Sequence, residues 1–208
     1  MTNYVNTYAG LSGAQIFITP TSHENDEVFF NAFLTSFSDS MNSSWNEEQV
    51  YGRPDPIGTF QNTIRKISLA FDVPARDIEE AKENLTMINQ VKQFMYPTYS
   101  SNLENNTSTN ALSLAKSPLV RIKFANLIQN GDGKGLLGWI SSFSATPVID
   151  MGMFNEGRME KGKFYPKVYN VSIDFTPQHE FDLGYKMDGT TAKPISEKFT
   201  KFPYDGGE

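Results

Sequence analysis

The 208 residues carry 18 Lys and Arg against 24 Asp and Glu, a net charge of −6, with 13% aromatic residues and no cysteine. That length and aromatic weight exclude both a disordered acidic tail and a mini-protein that needs cross-links. The missing thiols exclude disulfides, thiolate metal sites and cysteine nucleophiles, and the negative balance disfavours a grip on nucleic-acid backbone.

No stretch approaches the roughly 20 apolar residues of a membrane span, and the N-terminus has no basic region followed by an apolar run. The expectation is a soluble, unprocessed chain with no membrane insertion, made in a reducing cytosol. Its charge is segregated. Glu24, Asp26, Glu27, Asp39, Glu47, Glu48 and Asp55 are opposed only by Arg53 between positions 21 and 60, so this stretch holds the whole net charge. Such a face serves solubility, repels a passing polyanion or meets a basic partner.

In chain order, 27–40 is aromatic without a helical stripe and reads as a long strand: Phe29, Phe33 and Phe37 share one parity, Phe30, Ala32 and Leu34 the other. A bend is expected at 43–46, then a short extended piece over 47–51 and a turn at Gly52-Arg53-Pro54-Asp55-Pro56. Residues 59–73 alternate through Ile67, Leu69 and Phe71, with Arg65 breaking the pattern, and form a strand paired with the first. Ile78, Ala81, Leu85, Ile88, Val91 and Met95 recur at helical spacing, so 75–96 is an amphipathic helix ended by Pro97, with acids at its start and Lys92 near its end. Residues 98–116, rich in Ser, Thr and Asn, read as a long mobile loop.

Beyond it, 119–128 alternates as a strand, with Val120, Ile122 and Phe124 inward and Arg121 and Lys123 outward. Gly131 to Gly135 makes the tight connection of an antiparallel hairpin to 136–145. A final strand covers 164–176, and the tail beyond Pro177 reads as extended and loosely held. The sum is a mainly β chain, a sandwich or barrel with one flanking helix, treated as one domain over 1–208 with its core in about 25–185.

Recognisable chemistry is sparse. His23 and His179 lack second ligands at metal spacing, and Lys134 is followed by Gly135 instead of the Ser or Thr of a phosphate-binding loop. No nucleophile elbow or zinc-protease motif occurs, so no enzyme activity, cofactor or metal is expected.

The run Ser44-Trp45-Asn46-Glu47-Glu48-Gln49-Val50-Tyr51-Gly52-Arg53-Pro54-Asp55-Pro56-Ile57 points further. It is followed by Thr63, Arg65, Met95-Tyr96-Pro97, the stretch 117–124 and the Gly-Leu-Leu-Gly-Trp run ending at Trp139. Tyr165-Pro166-Lys167 and 175–184, with His179-Glu180, complete the series. In this order, over 44–185, the chain resembles the baseplate tail-tube initiator or adaptor proteins of contractile-tailed phages. No single motif is specific; their shared order carries the likeness. The resemblance implies the tail-tube fold, a small β-sandwich with a flanking helix, in hexameric rings that stack coaxially at the baseplate centre. It implies as partners further copies of the chain, the tail tube protein, and the hub and neighbouring adaptor or wedge proteins, with DNA only in passage through the channel. The place of action is then the virion, assembled in the host cytoplasm.

The resemblance also marks Trp45, Tyr51, Gly52, Arg53, Asp55, Arg65, Arg121, Lys123, Trp139, Tyr165, Lys167, His179 and Glu180 as candidate interface or motif residues. Trp45 and Tyr51 are expected mainly to pack at the base of the first hairpin. Arg53 and Asp55 form a charged pair that locks either the turn or a neighbouring subunit. The polar helix face, with Glu79, Lys82, Glu83 and Lys92, is solvated or meets the next subunit. Glu24, Asp26, Glu27, Asp39, Glu47 and Glu48 face the lumen or one rim, and the loop 98–116 orders against an adjacent ring. Two alternatives stand beside this reading: a peripheral baseplate protein, and a monomeric sandwich that binds carbohydrate at Trp139 or Tyr165.

Overall fold

The computed structural model describes residues 15–23, 25–31, 33–100, 113–130, 133–154 and 163–204. Its centre is a seven-stranded antiparallel sheet. The strands are β1 (Gln15–Pro20), β2 (Val28–Asn31), β3 (Phe33–Glu48), β4 (Ile57–Pro74), β7 (Val120–Phe124), β8 (Leu136–Pro147) and β9 (Val168–Pro177), in the order β2-β1-β7-β8-β9-β4-β3. Two small hairpins flank it, β5 (Thr98–Ser100) with β6 (Ser113–Lys116) and β10 (Tyr185–Asp188) with β11 (Thr191–Pro194).

The two edge strands are neighbours in sequence. Seven flat strands would hold them about 29 Å apart at about 4.8 Å per step, yet a single residue joins Asn31 to Phe33, and one residue spans only about 7 Å. The sheet therefore curls until its edges meet through the chain itself. This is the barrel of the two expected architectures, closed covalently instead of by a ladder between β2 and β3.

Inward side chains follow the strand period. Ile67, Leu69, Phe71 and Val73 of β4, Val120, Ile122 and Phe124 of β7, and Tyr169, Val171, Ile173 and Phe175 of β9 are buried in one cluster. Their sequence neighbours Ser172 and Asp174 face out. Ile16 and Ile18 of β1 join them, so the core begins well before residue 25. The helix α1 (Ile78–Phe94) adds Ile88 and Val91 to the same cluster. Asp77 caps it by accepting from the Glu80 amide at 2.9 Å, and Glu80 reaches back to the Arg76 amide at 2.8 Å. Asn84 occupies a buried place on the apolar stripe because its Nδ2 donates to the Pro74 carbonyl at 3.2 Å, tying the helix to the end of β4.

Four expectations need correction. β3 runs unbroken through 43–46 to Glu48; a register shift between Ser44 and Trp45 replaces the bend. The loop 98–116 begins and ends as the β5–β6 hairpin, and its tip lies outside the described residues. The last strand starts at Val168, leaving Phe164 and Tyr165 before it. The C-terminal segment is not loose: it folds as β10–β11 and a 3₁₀ turn Glu197–Lys201, then returns to the sheet. The β7–β8 hairpin pairs as expected, Arg121 opposite Leu137.

Gly138 is the tightest point of the wall. A Cβ there would stand 2.2 Å from the Thr176 carbonyl oxygen and 2.8 Å from Pro177 Cα, both backbone atoms of β9. Gly138→Ala should therefore destabilise the fold by at least about 3 kcal/mol. Gly58→Ala, whose new methyl meets only Trp45 at 3.5 Å, should stay within about 1 kcal/mol. Urea midpoints for the two variants check this contrast.

Candidate functional site

β3 and β4 outrun the sheet that holds them. β9 pairs with β4 from Val168 opposite Pro74 to Phe175 opposite Ile67, and stops. Beyond Ile67, β4 keeps β3 on one side and no strand on the other among the described residues. The two strands continue as a ribbon of about 30 Å, taking about 3.4 Å per residue from Arg65 to Ile57. Every residue from 40 to 64 is exposed.

The register shift, with Gln61 as the extra residue of β4, places Trp45 and Phe60 on the ribbon face of Met41 and Arg65, and Ile64 on the other. Trp45 sits opposite Phe60 in the register, with ring centroids 5.3 Å apart and edge to face, and its Nε1 donates to Ser43 Oγ at 3.1 Å. Half of each ring remains exposed. Tyr51 stands fully exposed at the tip, where Gly52 at φ 82° and the Arg53 amide bonded to the Val50 carbonyl turn the chain. Trp45 and Tyr51 thus do not pack at the hairpin base. Arg53 and Asp55 make no ion pair with each other, so the backbone, not a charged lock, holds the turn.

The root of the ribbon is built differently. Where the inward parity leaves the apolar core, Arg65 takes the next position, and its side chain is 3% exposed against 5% for Asp39. Arg65 donates Nε to Asp39 Oδ1 at 3.0 Å and Nη2 to Oδ2 at 2.6 Å. The Tyr204 hydroxyl donates to the same Oδ2 at 2.7 Å. Phe202 lies 5.2 Å from the guanidinium carbon, and His179 stands edge-on to Phe202 at 5.0 Å. Burial alone would raise the Asp39 carboxyl, but the hydrogen bonds from Arg65 and Tyr204 outweigh it and hold it below its ordinary 3.8. Burial, and then the Arg65 charge, lower His179. Asp39 is therefore no lumen or rim acid.

His179 and its neighbour turn opposite ways. Glu180 accepts from Arg121 in a fork, Nη1 to Oε2 at 2.7 Å and Nη2 to Oε1 at 2.6 Å, and from Asn130 Nδ2 at 3.1 Å. The Arg121 bond is the main reason its carboxyl lies below the ordinary 4.5. Segment 177–181 thus fastens the ribbon root to β7.

The remaining candidates are scattered. Lys123 lines a shallow 430 Å³ depression beside Thr19, Glu27 and Lys134. Tyr165 lies under Lys82 at 5.3 Å, and Lys167 stands over Phe154 at 5.8 Å. Lys82 therefore meets an aromatic ring of its own chain. Trp139 borders a groove of 310 Å³ with Phe94, Met95, Ser117, Pro118 and Leu119. Asp26 and Glu27 precede β2 while Glu47 and Glu48 end β3, so the acidic segment is split between distant ends; Glu24 lies outside the described residues. Among the described residues no three His, Asp or Glu side chains gather as a metal needs, and no helix is long and apolar enough to cross a membrane. No protein-family model matches the sequence, and no curated protein matches it.

Asp39→Ala leaves the Arg65 charge buried without its carboxylate and should cost about 3 kcal/mol or more, whereas Asp39→Leu with Arg65→Met should cost less than the sum of the single changes. The wild-type pair contributes in full above the ordinary 3.8 of Asp39, and that contribution drains away as pH falls through its lower native value. Denaturant titrations of the wild type, Asp39→Ala, the two single changes Asp39→Leu and Arg65→Met, and their double variant between pH 7 and pH 3 measure both effects.

Proposed function

We propose that this chain is a structural virion protein of a contractile phage tail, forming a hexameric ring at the baseplate centre that initiates the tail tube or joins it to the hub. The resemblance over 44–185 supplies the family, the ring and its partners. The β-barrel with a flanking helix is compatible with it. The observation that carries the reading is the ribbon. A two-stranded hairpin is marginal in water, and this one bears Met41, Trp45 and Phe60 on one face with Ile64 on the other, all half-exposed.

Both its edges are open. The outer edge of β3 and the inner edge of β4 over 57–66 have no strand beside them among the described residues. Neither stretch carries the prolines that natural sheets use to blunt an edge, and β3 has no lysine from Phe33 to Glu48. Such edges are completed by other chains. In a ring, the β3 edge of one copy and the β4 edge of the next supply each other's missing partner, and a closed circle leaves no edge over. The apolar ribbon face is then covered by the adjoining ring or hub.

Sedimentation and negative-stain images of the chain, alone and mixed with tail tube protein, test this. Rings or ring-capped tubes are expected, and Trp45→Ser with Phe60→Ser should reduce assembly at least tenfold while leaving the barrel's urea midpoint unchanged. A chain that stays monomeric in both conditions, or a double variant that assembles like the parent, overturns the proposal.

A further inference from the structure

We propose that residues 202–204 form a latch across the root of the ribbon, closed by Arg65, Asp39 and Tyr204 and opened by protonation of His179. The latch is a set of contacts between parts of the chain far apart in sequence. Tyr204 bonds to Asp39 on β3, and Phe202 covers the Arg65 guanidinium on β4. His179 stands on the other side of Phe202, with Phe181 6.0 Å beyond it. The Tyr204 ring also faces the Arg65 guanidinium at 5.9 Å, so releasing these few residues uncovers the ion pair at the ribbon root.

His179 is the group that this arrangement cannot tolerate charged. Its Nδ1 is buried and has no hydrogen-bond partner. A doubly protonated ring must donate at that atom, where no acceptor stands. The groups facing the imidazole are the Arg65 cation of β4, the Asp39 carboxylate of β3 and the neutral Tyr204 hydroxyl. Asp39 already serves Arg65 and Tyr204. Glu180, the next carboxylate along, is turned to Arg121 and Asn130, with Lys198 of the 3₁₀ turn also acting on it. An imidazolium would thus be a second buried cation beside Arg65, and the only relief is to expose the ring by lifting Phe202 away.

The direction in pH follows. With the latch closed the imidazole resists protonation, and with it open the ring titrates near its ordinary 6.5. The closed state is unaffected above that value and loses ground as pH falls below it, by up to about tenfold per pH unit, until the closed form itself takes the proton. Asp39 remains ionised through this range because its carboxyl lies below 3.8, so the two titrations occupy separate windows.

Hydrogen exchange of the full chain from pH 7.5 to pH 5.0, expressed as protection factors that divide out the exchange chemistry, reads the latch. Protection at 198–204 and at the ribbon root should fall several-fold from about pH 6.5 downward, while β9 amides hold theirs. His179→Phe, which keeps an aromatic ring on Phe202, should abolish the pH dependence; His179→Gln gives the same readout should the phenylalanine variant fail to fold. Tyr204→Phe should lower protection of the segment at every pH yet keep the slope, and His23→Gln should change nothing. A wild-type profile flat across this range, or a slope that survives removal of His179, overturns the proposal.

Discussion

A strand cannot leave a barrel without carrying its inward face out of the apolar interior, and β4 does so between Ile67 and Arg65. The first of these side chains is wholly buried in hydrocarbon; the next on the same face is a buried guanidinium. Desolvating that cation is tolerable only because Asp39 meets it with two hydrogen bonds and the tail closes over both. Beyond this point both strands are exposed, and before it the inward side chains of β4 are core. The pair is thus the boundary between a fold that stands alone and an arm that does not.

The same boundary explains how stability is distributed. The barrel owes its hold to burial around Phe30, Phe71 and Phe175, with α1 sealing part of it. The ribbon contributes little burial of its own, since its largest side chains pair only with one another across two strands. Its direction is fixed at the root, where the Arg65 cluster on one side and the Glu180–Arg121 fork on the other tether segment 177–181. A rigid barrel with a directed, weakly self-sufficient arm suits a protein whose final contacts are made with other chains.

Local pattern exposed much of this in the sequence. The period of two in 67–73 and 169–175 and the period near 3.6 in 78–95 each report a face that water must not reach, and those faces form the core. β1 was hidden because Phe17 on its outer face packs on Phe29 of β2, at 6.3 Å, so the segment is apolar on both parities. The bend at 43–46 was misplaced for a related reason. Ser and Asn weaken strand propensity there, but the sixteen-residue strand is held in register by its partner.

Arg65 looked like a flaw in the alternation because its compensation lies on another strand. Asp39 and Arg65 stand equally far from Gly52, so once the turn is placed the hairpin register brings the two charges to neighbouring rungs. That signal was available to register counting and invisible to periodicity. The tail was less accessible still. Phe202 and Tyr204 have no pattern around them, and their partners Arg65 and Asp39 lie more than a hundred residues earlier. Periodicity identifies which side of an element is buried; it carries no information about what a distant segment covers. Polar residues that interrupt an apolar face are therefore the places where such long-range closure is to be sought, since burying them is costly until a partner arrives.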